Sequence, residues 1–131
     1  MLGRKSMLLG MTCCLGLAAS LAANAECVPD PGRETIKVAV GAEGTPVVTP
    51  DSVTACEGET LRWVFQGADA KEFSVIFVDA DKSPFEWSRQ TGATISGTVK
   101  SGAARNGKKT EYKYDVDVDG KVLDPKIIID R

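Results

Sequence analysis

The chain of 131 residues contains no histidine. That absence removes the imidazole base of a Ser-His or Cys-His pair and the commonest nitrogen ligand for zinc or copper. The three methionines are Met1, Met7 and Met11, and two of the four cysteines are Cys13 and Cys14, so all five lie near the start. After residue 25 leucine occurs only twice, at Leu61 and Leu123. Positive charge is not in excess: 16 Lys and Arg stand against 18 Asp and Glu, for a net charge of −2. A balance of that sign does not fit a nucleic-acid binder, which needs a basic face.

The first 25 residues read as a cleaved secretory signal. Arg4 and Lys5 form a positive start, Met7 to Ala19 an apolar stretch, and Ala23-Asn24-Ala25 a small-x-small cleavage site. A retained anchor would use Met7 to Ala23, about 17 residues and the short limit for a span. The Ala-Asn-Ala site argues for cleavage instead. A lipoprotein needs Leu three positions before the modified Cys, and Gly10, Met11 and Asn24 stand there. Taking 25 residues from 131 leaves 106, beginning at Glu26 and with no membrane span. Loss of Arg4 and Lys5 moves the net charge from −2 to −4. The expectation is one domain over 26–131, in the periplasm or secreted. Two cysteines remain, Cys27 and Cys56, and an oxidising compartment favours their only intramolecular pairing. The bridge would close a loop of about 30 residues and stabilise by roughly 3 kcal/mol. The spacing is not Cys-x-x-Cys, and no basic cluster adjoins either residue, so a redox role is disfavoured.

What remains is rich in β-branched residues: 13 Val, 6 Ile and 9 Thr after residue 25. Such side chains lose χ1 freedom in helices and pack well on a pleated surface. Alternation then marks strands at Ile36–Val40, Val47–Val48, Val53–Ala55, Leu61–Phe65, Phe73–Phe77, Ile95–Val99, Tyr112–Val118 and Ile127–Ile129. Phe73–Phe77 is apolar on both sides and is expected to be central. Ser83-Pro84-Phe85-Glu86 has the form of a capping box with Pro at the first helical position, which predicts one short helix near residues 84–91. Residues 101–109, carrying Arg105, Lys108 and Lys109, read as a solvated loop in preference to an anion site. The expected fold class is all-β, a Greek-key β-sandwich of seven to eight strands with that helix. The aromatics Trp63, Phe65, Phe73, Phe77, Tyr112 and Tyr114 are expected to fill its core.

The order of these segments resembles the cupredoxins, the blue-copper family. GETLRWVF (Gly58–Phe65) is similar to the family's Gly-Asp/Glu-x-Val/Leu-x-Trp strand. FSVIF (Phe73–Phe77) is similar to the strand that opens with a copper-binding His, and YKYDV (Tyr112–Val116) to the Tyr-x-Tyr-x-Cys strand. KIIID (Lys126–Asp130) resembles the closing strand. The likeness spans residues 34–131 and implies a cupredoxin-like sandwich. It departs from the family at the metal: Phe73 stands at the His position and Val116 at the Cys position. Asp117–Pro125 holds neither the second His nor the axial Met. Blue copper needs two imidazoles and a thiolate, so the resemblance implies an exported cupredoxin-like domain that lacks the copper ligands.

Asp115-Val116-Asp117-Val118-Asp119-Gly120 spells the first half of a calcium loop, with Asp124 as a further oxygen donor. Its twelfth position is Lys126 where a bidentate Glu belongs, and its flanks are strands. The simpler reading has Val116 and Val118 facing the core, Asp115 and Asp117 facing solvent, and Asp119-Gly120 making a hairpin turn. Asp79, Asp81 and Glu86 form an acidic group that nothing positions for glycoside hydrolysis. The expected function is a non-enzymatic binding or interaction module with no cofactor. Its partner is expected to be another exported protein, not a nucleic acid. The alternatives are a calcium-dependent binder using Asp115, Asp117, Asp119 and Asp124, and a hydrolase. N-terminal sequencing of exported protein is expected to begin at Glu26; a start at Met1 would refute the signal.

Overall fold

Eleven short strands account for about half of the described residues in the computed structural model, which describes Cys27, Val28 and residues 35–131. The expected signal, residues 1–25, lies outside the described residues. The strands are β1 (Thr35–Val40), β2 (Pro46–Thr49), β3 (Ser52–Cys56), β4 (Thr60–Phe65), β5 (Phe73–Ile76) and β6 (Arg89–Gly92). β7 (Thr94–Thr98), β8 (Thr110–Lys113), β9 (Asp115–Val118), β10 (Lys121–Leu123) and β11 (Lys126–Asp130) complete the set. The period-2 pattern survives in burial except at Val40 and Phe65, strand-end positions that are only partly buried, so Phe65 packs against the core instead of filling it. Ile36 and Val38, Leu61 and Trp63, Phe73 and Val75, Tyr112, Tyr114, Val116 and Val118, and Ile127 and Ile129 are all buried.

One layer has the order β2-β1-β4-β7. The other is built from two hydrogen-bonded sheets, β10-β9-β5-β6 and β3-β11-β8. These join through one long hairpin. Its register runs unbroken from Lys121↔Val118 to Ile129↔Thr110. At the junction the Tyr114 N–H donates to the Pro125 carbonyl over 3.1 Å. Pro125 has no N–H to return, so the ladder lapses there and the long strand reads as β8 and β9. The chain passes repeatedly between layers, and β1 lies parallel to β4 and β3 parallel to β11. This is the crossed connectivity of a Greek-key β-sandwich. β5 lies inside its sheet, between β9 and β6, as its apolar character predicts.

The strand number exceeds the expected seven to eight for three reasons: the split at Tyr114, the strand β10 within the expected loop Asp117–Pro125, and β6. The last also corrects the expected helix. Residues 84–91 form no helix. The Ser83 hydroxyl accepts from the Phe85 N–H over 3.1 Å and donates to the Trp87 carbonyl over 2.6 Å. It closes a local loop that stands in for the first helical turn. Arg89–Gly92 then pairs with β5, Phe73 opposite Gly92. Phe85 and Trp87, two apart, turn to the same side and stack at 4.9 Å. The bends at residues 84–86 bring the two rings together. The helical content near this segment is a single 3-10 turn, Ala80–Lys82, whose N–H at Lys82 is accepted by Asp79.

Trp63, Phe77, Phe85, Trp87 and Tyr114 form one aromatic cluster. Trp63 meets Phe85, Trp87 and Tyr114 edge-on at centroid distances of 5.7, 6.2 and 5.7 Å. Gly97 on β7 makes room for it. A Cβ there would lie 2.8 Å from Phe85 Cδ1 and 2.9 Å from Trp87 Cζ2. Both rings are held on several sides, so neither can retreat freely. Gly97→Ala is expected to lower unfolding stability by about 1–3 kcal/mol, read as a fall in the urea midpoint. An unchanged midpoint would mean that the Phe85–Trp87 stack yields.

Candidate functional site

The family likeness places a metal centre where β5 opens, where β9 begins and in the turn that follows. The structure brings the first two together: β5 and β9 are antiparallel neighbours, with Val75 opposite Val116. Phe73 is 1% exposed and Val116 is 0% exposed, both in the main core. Neither carries a donor atom. The two described cysteines are joined to each other, Cys27 to Cys56, with Cα atoms 5.6 Å apart. The residues present therefore do not fit a blue-copper ion, which needs imidazole and free thiolate. The bridge instead ties the segment at Cys27 to the end of β3. The Cys27 N–H also donates to the Arg131 carbonyl over 2.8 Å.

Beneath this region the Trp63 indole N–H donates to the Tyr114 hydroxyl over 3.1 Å. Burial pushes the Tyr114 hydroxyl well above the usual tyrosine range. The Trp63 hydrogen bond works against that shift, and the charge of Asp51 adds to it.

The acidic run does not converge. Asp115 points outward from β9 and is exposed. Asp117 accepts from the Gly120 N–H over 2.9 Å. Asp119 pairs with Lys71 at 2.8 Å, in an exposed contact worth little on its own. Asp119 and Gly120 take φ of 53° and 83°, the left-handed pair of a type I′ hairpin. Asp124 is exposed on the groove that also holds Asp51 and Lys126. Among the described residues no three His, Cys, Asp or Glu side chains are grouped to hold a metal ion. Asp79 caps the 3-10 turn, while Asp81 and Glu86 are exposed. Glu86 caps no helix, because none forms.

Two carboxylates that sequence reasoning passed over carry structural duty. Glu57 accepts from the N–H groups of Gly102 and Ala104, at 3.0 and 2.9 Å. It thereby anchors the 101–109 segment, with Ala103 and Ala104 buried. That segment is more than the solvated connection expected; the Ala-Ala pair amid polar residues was the legible sign. Glu59 is buried, and one carboxylate oxygen accepts from the Cys56 N–H over 2.9 Å. Its signal was weaker, since a Glu in a Glu-Gly-Glu turn reads as solvated. Among the described residues no helix is long and apolar enough to cross a membrane.

No protein-family model matches the chain, and no curated protein matches it. Among solved structures it is similar to a novel purple cupredoxin from Nitrosopumilus maritimus. The identity is 11% and the TM-score 0.44, and the match covers 72% of this chain and 97% of that one.

The raised Tyr114 pKa has a definite consequence. The folded state favours the neutral hydroxyl, so its contribution is intact below the ordinary value of about 10 and is lost as pH rises above it. Alkaline unfolding curves should therefore show stability falling above about pH 10. Tyr114→Phe should be less stable at neutral pH by about 1–3 kcal/mol, because the Trp63 N–H loses its acceptor. It should also show a shallower alkaline decline. Equal slopes in the two proteins would contradict the assignment.

Proposed function

We propose that the protein is a small exported, non-enzymatic binding module on a cupredoxin-like scaffold that holds no copper and transfers no electrons. One observation carries the reading. Phe73 and Val116, which stand where the resemblance puts a His and a Cys ligand, are packed into the core beside one another's strands. Large apolar side chains there avoid the cavity that an empty metal pocket would leave. The Cys27–Cys56 bridge supports an oxidising compartment outside the cytoplasm. A rigid sandwich of this size leaves specificity to its edges and loops.

Titration of the purified, oxidised protein with Cu(II) is expected to give no intense thiolate-to-copper charge-transfer band. Val116→Cys alone is expected to give none either, because the chain has no histidine to complete the site. Stoichiometric copper with such a band in the unmodified protein would overturn the reading.

A further inference from the structure

We propose that the open edge of β8 takes an extended acidic segment of a partner protein as an added strand. This rests on the binding-module reading and names its docking surface.

The edge exists because β5 is too short. Among the described residues β9 is flanked by β10 and β5, but β8, the same strand continued, has β11 alone. Pairing of β5 with β9 ends at Ile76 opposite Asp115. The Phe77 N–H continues the register with the β6 side, donating to the Ser88 carbonyl over 2.7 Å. Val78 leaves the sheet 80% exposed, and the 3-10 turn follows. A groove of about 210 Å³ opens, with Val78, Lys82 and Arg105 on one wall and Thr110 to Lys113 of β8 on the other.

The backbone of β8 faces that groove with the right parity. The Tyr114 N–H points to Pro125, so even-numbered residues of this strand bond toward β10 and β11. Their odd-numbered neighbours bond the other way, as Asp115 does toward Ile76. Glu111 and Lys113 therefore present their N–H and C=O groups to the open side. An incoming strand can pair with both.

Charge selects the occupant. In a chain of net −2, this groove gathers Lys82, Arg105 and Lys113. Its single carboxylate, Glu111, lies 3.4 Å from Lys126. Arg105 is held in place, over the Tyr112 ring at 5.9 Å and donating to the Asp81 carbonyl. Lysines along an exposed edge deter self-pairing. A second copy docked on the same edge would bring both sets of cations together, whereas a segment of alternating acidic and apolar residues would meet the cations and cover Val78.

The test uses the oxidised protein with its disulfide intact and a fluorescein-labelled peptide of alternating valine and glutamate. A valine–lysine peptide of equal length is the control. The acidic peptide should bind saturably, more weakly at high salt, and the control should not bind. Backbone amide resonances of Glu111, Lys113 and Val78 should move the most. Lys82→Glu with Lys113→Glu should weaken binding about tenfold or more. Glu111→Pro should abolish it, because it removes an N–H that faces the groove and not the ladder to β11. The charge-reversal pair keeps the test decisive if that proline unfolds the protein. No binding up to millimolar peptide, equal binding of the control, or shifts centred elsewhere would overturn the proposal. So would a dimer of the protein alone that Glu111→Pro dissolves. None of these readouts involves copper, so their failure leaves the copper-free reading to its own titration.

Discussion

The indole of Trp63 on β4 and the hydroxyl of Tyr114, at the junction of β8 and β9, meet in the interior between the two layers. Each ring is buried, and each polar atom finds its partner in the other. Were either absent, the other would be stranded in a dry core at the full desolvation cost. The remaining rings organise around this pair: Phe77, Phe85 and Trp87 each contact one of the two. Gly97 is small because this cluster is large. The tie also holds Tyr114 at the place where Pro125 interrupts the hairpin ladder, so side-chain bonding compensates where backbone bonding lapses.

That cluster explains why a local helix signal fails. Ser83 to Glu86 satisfies the rules for a helix start, and in an isolated peptide those rules weigh most. Here Phe85 and Trp87 must both reach the cluster, and a helix would send residues two apart to opposite sides, whereas the bends at 84–86 bring them together. The Ser83 hydroxyl still accepts from the Phe85 N–H as a helix cap would, but it donates to the Trp87 carbonyl and so closes a loop instead. Capping is worth about 1 kcal/mol, whereas each buried aromatic ring contributes several times that amount.

The same packing occupies the place where a related scaffold would carry metal. Phe73 and Val116 add apolar volume to the sandwich interior and leave chemistry to the periphery. The acidic run Asp115–Asp119 is likewise spent on local duties: one carboxylate closes the hairpin turn and another pairs with Lys71. In the proposed binding-module role, backbone edges and flanking charge on this disulfide-tied core would provide selectivity.

Strand positions, the buried faces, the Asp119-Gly120 turn and the Cys27–Cys56 pairing were legible in the sequence. Alternation, turn chemistry and a count of two cysteines are local signals, and burial reinforces them. The absence of histidine was likewise plain before any fold was known, and it underlies the copper-free proposal. The loss of the expected helix, the emergence of β6 and β10, the anchoring of the 101–109 segment by Glu57 and the open edge of β8 were decided only in three dimensions. Each depends on contacts between residues far apart in the chain, such as Glu57 with Ala104 or the termination of β5 beside β8. Sequence periodicity says which way a side chain faces along its own strand; it carries no record of which neighbour is missing from a strand's other side.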